Sequence, residues 1–137
     1  DNESKSTKGV LRGLHYQLPP YTQAKLVRVI EGSVLDIAVD IRKSSPTFGQ
    51  HVSVELTAQN KHQLFVPHGF AHGFIVLSDS ATFAYKVDNY YAPEHDRGIA
   101  FNDAQLKIDW QLLAEELQLS DKDKTHPSLV NAKDLFE

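Results

Sequence analysis

The chain has 137 residues, of which 41% are hydrophobic and 23% are charged, a composition typical of a globular domain rather than a disordered one. A net charge of −4 disfavours nucleic acid and anionic membranes as partners, and the lack of cysteine excludes disulfides and thiolate chemistry. No apolar run approaches the roughly 20 residues of a membrane helix, and we expect a cytoplasmic protein. We interpret residues 1–137 as one domain. Because the sequence starts Asp1-Asn2-Glu3 without methionine, we expect further residues before it in the whole protein.

The charges are distributed unevenly along the chain. Residues 4–30 hold five bases and no acid, whereas residues 94–137 hold ten acids and five bases. A basic stretch within an acidic protein suits a small anionic ligand such as a phosphate. Taken alone, a solvated charged face explains it more simply.

Segments of strand length follow one another with turn residues between them. They are predicted at residues 25–30, 34–41, 51–56, 63–66, 73–77 and 81–87. In the second of these, Leu35, Ile37, Val39 and Ile41 recur at every other position, the pattern of a strand. Several short strands at this spacing favour an all-β sandwich or barrel. The one predicted helix covers residues 112–117, and a polar tail follows it.

The segment Leu11-Arg12-Gly13-Leu14-His15 places a guanidinium and an imidazole three residues apart. On a regular strand, Arg12 and His15 would point to opposite faces. A bulge at Gly13 would bring them to the same face. The alternative is an edge strand with two solvated polar groups.

The other histidines and tyrosines divide into two groups. His72 is predicted to point inward with Phe74, either as a hydrogen-bonded core residue or as a functional one, and Tyr85 shares a face with Phe83 and Val87. The remaining histidines in polar or turn segments are expected at the surface: His51, His62, His95 and His126. A metal site needs three or four converging ligands. Gln17 stands where a His-x-His pair starting at His15 would continue, so no metal is expected.

Several motifs together carry a resemblance to a known family. Pro67-x-Gly69-x-x-His72 is similar to the second motif of the cupin barrels. With it stand residues 12–17 (RGLHYQ), 40–49 (DIRKSSPTFG), 85–86 (YK) and 89–91 (NYY). The chain thereby resembles the dTDP-4-dehydrorhamnose 3,5-epimerases, from Asp1 to at least Asp123. The resemblance implies an all-β, cupin-type jelly-roll β-barrel or sandwich with a short C-terminal helical segment.

The resemblance also implies an activity. Such an enzyme inverts C3 and C5 of dTDP-4-dehydro-6-deoxy-D-glucose and gives dTDP-4-dehydro-L-rhamnose, without metal or other cofactor. By motif, His15 is the base, Asp123 is its carboxylate partner, and Tyr85 is the proton donor. Lys25 lies near the sugar carbonyl and the phosphates. Asp121 is a weaker rival for the place of Asp123.

Further residues match the family's substrate contacts. Arg12 matches the arginine that binds the diphosphate, and Tyr91 matches the residue that stacks on thymine. The remaining matches to substrate contacts are Asp1, Asn2, His72, Asp96 and Lys122. The resemblance also implies a homodimer in which an N-terminal strand, in a region of the family that precedes Asp1, exchanges between subunits.

Three other interpretations stay open at this point. The first is an epimerase that acts at C3 or C5 only, or on a related dTDP-keto-sugar. The second is a cupin that binds a sugar nucleotide without catalysis. The third is a metal-dependent cupin, which would need a further His or Glu converging on His15 and His72.

Overall fold

The computed structural model describes residues 1–137 and consists of β-strands joined by loops and single 3₁₀ turns. The strands are β1 (Asn2–Thr7), β2 (Leu11–Gln17), β3 (Lys25–Glu31), β4 (Ser33–Asp40), β5 (His51–Thr57), β6 (Gln63–Val66), β7 (Phe70–Val76), β8 (Ser80–Val87) and β9 (Asp96–Gly98). The 3₁₀ turns are Pro93–His95, Ala114–Glu116, Lys122–Lys124 and Leu129–Asn131. No helix has the length and apolar character needed to cross a lipid bilayer.

The strands form two antiparallel sheets that pack face to face. One has four strands in the order β1-β8-β3-β6, and the other has five in the order β5-β4-β7-β2-β9. The predicted jelly-roll sandwich is therefore confirmed. All six predicted strands are present, although β7 begins at Phe70 rather than at Gly73. The suggestion that residues 11–17 form an edge strand is wrong, because β2 lies between β7 and β9.

The space between the two sheets holds the first hydrophobic core. Val27 and Val29 of β3 and Phe83 of β8 meet Val34 of β4 and Val76 of β7 there. Towards the start of β3 and the end of β8, polar side chains replace these apolar ones. The sandwich is thus closed by packing at one end and lined by polar groups at the other.

A second core covers the outer face of the five-stranded sheet. Leu11, Ile37 and Ile75 pack there against Ile99 and Trp110 of the C-terminal segment. Strand β4 is therefore buried on both faces. Because both faces of β4 are covered, the aspartates that alternate with its apolar residues, Asp36 and Asp40, are buried as well.

The C-terminal segment is fixed on this outer face by hydrogen bonds as well as by packing. The Trp110 indole donates to the carbonyl of Phe101 at 2.9 Å. The buried Asp103 carboxylate accepts the backbone N–H of Leu129 at 2.6 Å. The segment between them places Asp123 next to His15 of β2.

The helix predicted at residues 112–117 is wrong in type and length. The structure has only one 3₁₀ turn there, Ala114–Glu116, although Glu115 and Glu116 are exposed as predicted. Six residues are too few to offset the cost of nucleating an isolated α-helix. The flanking Leu112 and Leu117 pack against the outer core instead.

Candidate active site

A bulge at Gly13 sets the direction of the side chains on β2. The pairing of β2 with β7 shifts register between Arg12 and His15, and Gly13 has a φ of +126°. A Cβ atom on Gly13 would lie 2.7 Å from the Cα atom of Gly73, so both the backbone conformation and the close approach require glycine. Arg12 and His15 consequently line the same cavity. The bulge inferred from sequence is confirmed.

Two adjoining cavities open between the sheets and share His15, Lys25 and Tyr85. The larger has a volume of about 870 Å³, and the smaller about 330 Å³. The predicted residues that line only the larger are Asp1, Asn2, Tyr91, Asp96 and Lys122. Those that line only the smaller are Arg12 and His72. Of the predicted site residues, only Asp123 lines neither cavity, because it lies behind His15.

The functional groups come to the cavities from both sheets. His15 on β2 and His72 on β7 belong to the five-stranded sheet, and they are opposite each other in register. Lys25 on β3 and Tyr85 on β8 belong to the four-stranded sheet. The Lys25 ammonium lies 6.0 Å from the centre of the Tyr85 ring. A ligand in the shared space would therefore meet imidazole groups on one side and phenol and ammonium groups on the other.

His15 is paired with Asp123. Its Nε2 atom lies 2.5 Å from Asp123 Oδ1, and the Asp123 side chain has no exposed surface. Burial would raise the pKa of Asp123, but the hydrogen bond and the charge of His15, together with the hydrogen bond of His126, outweigh it and lower the pKa to about 2. The carboxylate is therefore charged at any pH near neutrality. Its rival Asp121 is fully exposed and does not contact His15.

A second histidine–carboxylate pair lies on the neighbouring strands. His72 Nε2 is 2.8 Å from Asp36 Oδ1, and both side chains are buried. Asp36 was not among the residues singled out from sequence. The alternation of β4 contains the signal, since Asp36 and Ala38 share a face and Ala38 pairs with His72. That signal is readable only when the partner strand is known.

Burial changes the ionisation of the two groups on the four-stranded sheet. It lowers the pKa of Lys25 below that of an ordinary lysine, opposed by the charges of Asp36 and Asp96. Burial also raises the pKa of Tyr85. Tyr85 therefore stays protonated, as a proton donor must, while Lys25 is a poorly hydrated cation that loses its charge earlier than an ordinary lysine as pH rises.

Gln17 holds the loop that carries Tyr91. Its amide nitrogen donates to the carbonyls of Tyr21 at 2.7 Å and Tyr90 at 3.1 Å, and its amide oxygen accepts the N–H of Ala92 at 2.8 Å. Tyr91 itself is 65% exposed, so one face of its ring is free for a ligand. Gln17 was noted in sequence only as a missing metal ligand, yet its buried amide joins two loops at the mouth of the larger cavity.

Three of the four histidines expected at the surface are partly buried: His51, His95 and His126. The His126 side chain is only 9% exposed and lies 3.1 Å from Asp123 Oδ1. His95 is partly buried against the ring of Tyr21. The expectation is therefore confirmed for His62 alone. It rested on their polar neighbours in sequence, which do not reveal the tertiary packing of His95 against Tyr21 or of His126 against Gly98.

The side chains that could hold a metal are few. His15, Asp123 and His126 place one ligand atom each within 4.8 Å of one another. In the structure these atoms hydrogen bond to each other. His72 does not join them, because its Nε2 atom is bonded to Asp36. A metal-free reaction stays a prediction, which the experiment below tests.

Fold and site together define a small jelly-roll protein of the cupin type, with histidine–aspartate pairs facing a phenol and an ammonium across a cavity. The family model described as dTDP-4-dehydrorhamnose 3,5-epimerase matches residues 1–131. The chain belongs to this family.

Individual relatives agree with this assignment. The dTDP-4-dehydrorhamnose 3,5-epimerase of Shigella flexneri is 58% identical over 96% of this chain and 72% of its own length. The crystal structure of the dTDP-6-deoxy-D-glucose-3,5-epimerase of Legionella pneumophila, in complex with dTDP-4-keto-L-rhamnose, is 55% identical with a TM-score of 0.92, covering 96% of this chain and 69% of that one. A 3'-monoepimerase from Streptomyces bikiniensis in complex with dTDP-quinovose is 34% identical with a TM-score of 0.86, covering 94% of this chain and 65% of that one.

Proposed function

We propose that this protein inverts C3 and C5 of dTDP-4-dehydro-6-deoxy-D-glucose, to give dTDP-4-dehydro-L-rhamnose, by removing and returning protons without a metal. The observation that carries the proposal is the placement of His15 with Asp123 on one sheet, opposite Tyr85 and Lys25 on the other. Membership of the epimerase family agrees with it.

The chemistry of a 4-keto-sugar explains why these groups suit the reaction. The hydrogens at C3 and C5 are both α to one carbonyl, so removal of either gives an enolate. An ordinary imidazole titrates at about 6.5, close to working pH, and a positioned general base contributes typically about 10²–10⁴-fold. His15 takes the proton, and the charged Asp123 fixes its tautomer and stabilises the imidazolium that forms.

Inversion needs a proton from the face opposite to the base. Tyr85 comes from the facing sheet and stays protonated, so it donates to the enolate carbon from that side. Each inversion leaves His15 with one more proton and Tyr85 with one fewer. A proton must pass from the imidazolium to the phenolate through solvent before the second inversion, which is why solvent hydrogen enters the product.

Lys25 stabilises the negative charge on the enolate oxygen. That charge develops in the transition state, so a poorly hydrated ammonium nearby stabilises it more than it stabilises the neutral ketone. Arg12 suits the diphosphate, because a guanidinium binds phosphate oxygens in pairs. The exposed ring of Tyr91 offers a stacking surface for thymine, and Asp1, Asn2, His72, Asp96 and Lys122 complete the substrate contacts.

As pH rises, we expect kcat/KM to fall with a half-point below pH 10.5, the value at which an ordinary lysine titrates. The reason is that burial lowers the pKa of Lys25. Lys25→Arg keeps its charge to above about pH 12, so the alkaline limb should move to higher pH, whatever happens to the plateau rate. The pH profile of kcat/KM for wild type, Lys25→Arg and the exposed control Lys86→Arg measures this. An alkaline limb that stays in place in Lys25→Arg would contradict the role of Lys25.

The direct test is hydrogen exchange in D₂O with dTDP-4-dehydro-6-deoxy-D-glucose, followed by NMR in the presence of EDTA. We expect deuterium at both C3 and C5 and an inverted product. Label at one carbon only would support the single-carbon alternative, which the similarity to a 3'-monoepimerase keeps in view. Binding without label would indicate a sugar-nucleotide-binding cupin. Loss of exchange with EDTA, restored by a divalent metal, would indicate a metal-dependent cupin.

We also propose that the protein forms a homodimer through the four-stranded sheet. The outer face of this sheet exposes Ile30 and Phe65, which are 39% and 61% accessible. At its edge, β1 pairs only with β8, so its other side is open to an added strand, as the family's N-terminal strand exchange requires. Sedimentation equilibrium should give twice the chain mass, and a monomer at micromolar concentration would contradict the proposal.

A cytoplasmic location and the lack of nucleic-acid and membrane partners stay predictions from composition.

A further inference from the structure

His126 contacts the same carboxylate oxygen as the proposed base. Asp123 Oδ1 lies 2.5 Å from His15 Nε2 and 3.1 Å from His126 Nε2. The two imidazole rings meet edge to face, with their centres 5.4 Å apart. Asp123 Oδ2 is buried without a hydrogen bond. The charge of Asp123 is therefore held by two imidazoles at one oxygen, and His126 has no other side-chain partner.

The fold leaves space for the His126 ring against Gly98. A Cβ atom on Gly98 of β9 would overlap the ring, so this position leaves the space that the imidazole occupies. The next residue, Pro127, accepts a hydrogen bond from the N–H of Ala100 at 2.8 Å, and this bond ties the segment to the chain after β9. Since proline also restricts the residue before it to extended conformations, the His126 backbone has little freedom.

Two of the bases nearby are already paired with carboxylates. Lys122 binds Asp96, and Arg97 binds Asp134 at 2.9 Å. The remaining titratable groups around the pair are Tyr16 on β2, Lys124 on the same turn, Lys133 in the C-terminal segment, His72 on β7, and Lys25 and Tyr85 across the cavity. None of these is hydrogen bonded to Asp123, which leaves His15 and His126 as its side-chain donors.

We propose that His126 is a positioning residue for the epimerase reaction. Its Nε2–H donates to Asp123 Oδ1, fixes the carboxylate against His15, and limits how strongly the carboxylate retains a proton on His15. The proposal rests on the proposed function in so far as His15 is the base. It assigns to this chain a three-membered group, His15–Asp123–His126, in place of a simple pair.

The direction of the effect follows from the shared oxygen. Without the His126 N–H, the whole charge of Asp123 acts on His15 and holds a proton there more tightly. Protonated His15 cannot act as a base. The acidic limb of the kcat/KM profile should therefore move to higher pH when the donor is removed, and stay in place when another N–H replaces it.

The test compares His126→Phe, which keeps a ring but has no donor, with His126→Gln, which keeps an N–H near the position of Nε2. We expect the acidic half-point of kcat/KM to rise by about one pH unit in His126→Phe, the lower end of what a hydrogen bond to a charged group contributes. His126→Gln should retain the wild-type half-point. Equal shifts in both variants, or lower rates with no shift in either, would overturn the proposal.

A second measurement uses the wild-type protein and requires no activity. Proton–nitrogen NMR of ¹⁵N-histidine protein, with His126 assigned from the His126→Gln spectrum, reports which ring nitrogen carries hydrogen. We expect a proton on His126 Nε2 at neutral pH. An unprotonated Nε2 would overturn the proposal even if His126→Phe fails to fold. If the protein lacks epimerase activity, the proposed function fails, while this spectrum still decides the hydrogen bond.

Discussion

Replacement of His15 by alanine is expected to lower turnover by about 10²–10⁴-fold and to leave the affinity for dTDP nearly unchanged. The proposed role of this side chain is to move a proton at the sugar, whereas the proposed nucleotide contacts are made by other residues. Steady-state rates by product NMR and dTDP binding by calorimetry measure the two effects. Loss of both together would indicate a binding residue rather than a base.

Two controls separate chemistry from folding in this experiment. His15→Gln keeps an N–H for the buried Asp123 but cannot act as a base, so it should remain folded and inactive. His62→Ala removes an exposed imidazole that lines neither cavity and should behave as wild type. Activity near wild type in either His15 variant would refute the assignment of the base.

Replacement of Tyr85 by phenylalanine is expected to abolish inversion at one or both carbons while hydrogen exchange persists. His15 still forms the enolate in this variant, but a proton then returns only from the face on which His15 lies. The sugar is recovered with deuterium and with its original configuration. Loss of the acid should slow product formation by at least about 10²-fold.

The measurement follows deuterium incorporation and product formation in the same NMR sample. Tyr90→Phe is the matched control, since this tyrosine lines the larger cavity, is 85% exposed and has no predicted role, so that removal of its hydroxyl should change neither rate. If Tyr85→Phe forms product at the wild-type rate, the acid is another group. If the variant loses both hydrogen exchange and product formation, Tyr85 is needed to form the enolate and not only to protonate it.

The comparison of sequence and structure separates what is local from what is not. Alternation located six strands because every second side chain of a strand shares a face, and that rule needs no knowledge of the partner strand. It did not locate β1, whose residues are almost all exposed, β9, which has only three residues, or β2, whose alternation is interrupted by the bulge at Gly13. The helix at 112–117 was misread because its apolar residues pack against a sheet that the sequence does not show.

The site divides in the same way. The motifs identified His15, Lys25, Tyr85 and His72. Gly13 predicted the bulge that turns Arg12 and His15 to one face. The carboxylate partners of the two histidines could not be found from the local sequence, because they lie far away along the chain. Asp123 contacts His15 from 108 positions away, and Asp36 contacts His72 from 36 positions away. The sequence could name Asp123 only through a family resemblance, and it suggested neither Asp36 nor His126.

By itself, the sequence determined an all-β chain, the residue types of an acid–base site, and the glycine at which β2 changes register. Only the tertiary structure decided which sheet each functional group stands on, and hence that His15 and Tyr85 face each other. It also decided that the C-terminal segment crosses the outer face and returns Asp123 and His126 to the edge of β2. The physical reason is that alternation fixes which side chains share a face, whereas the packing of sheets and covering segments fixes what that face meets.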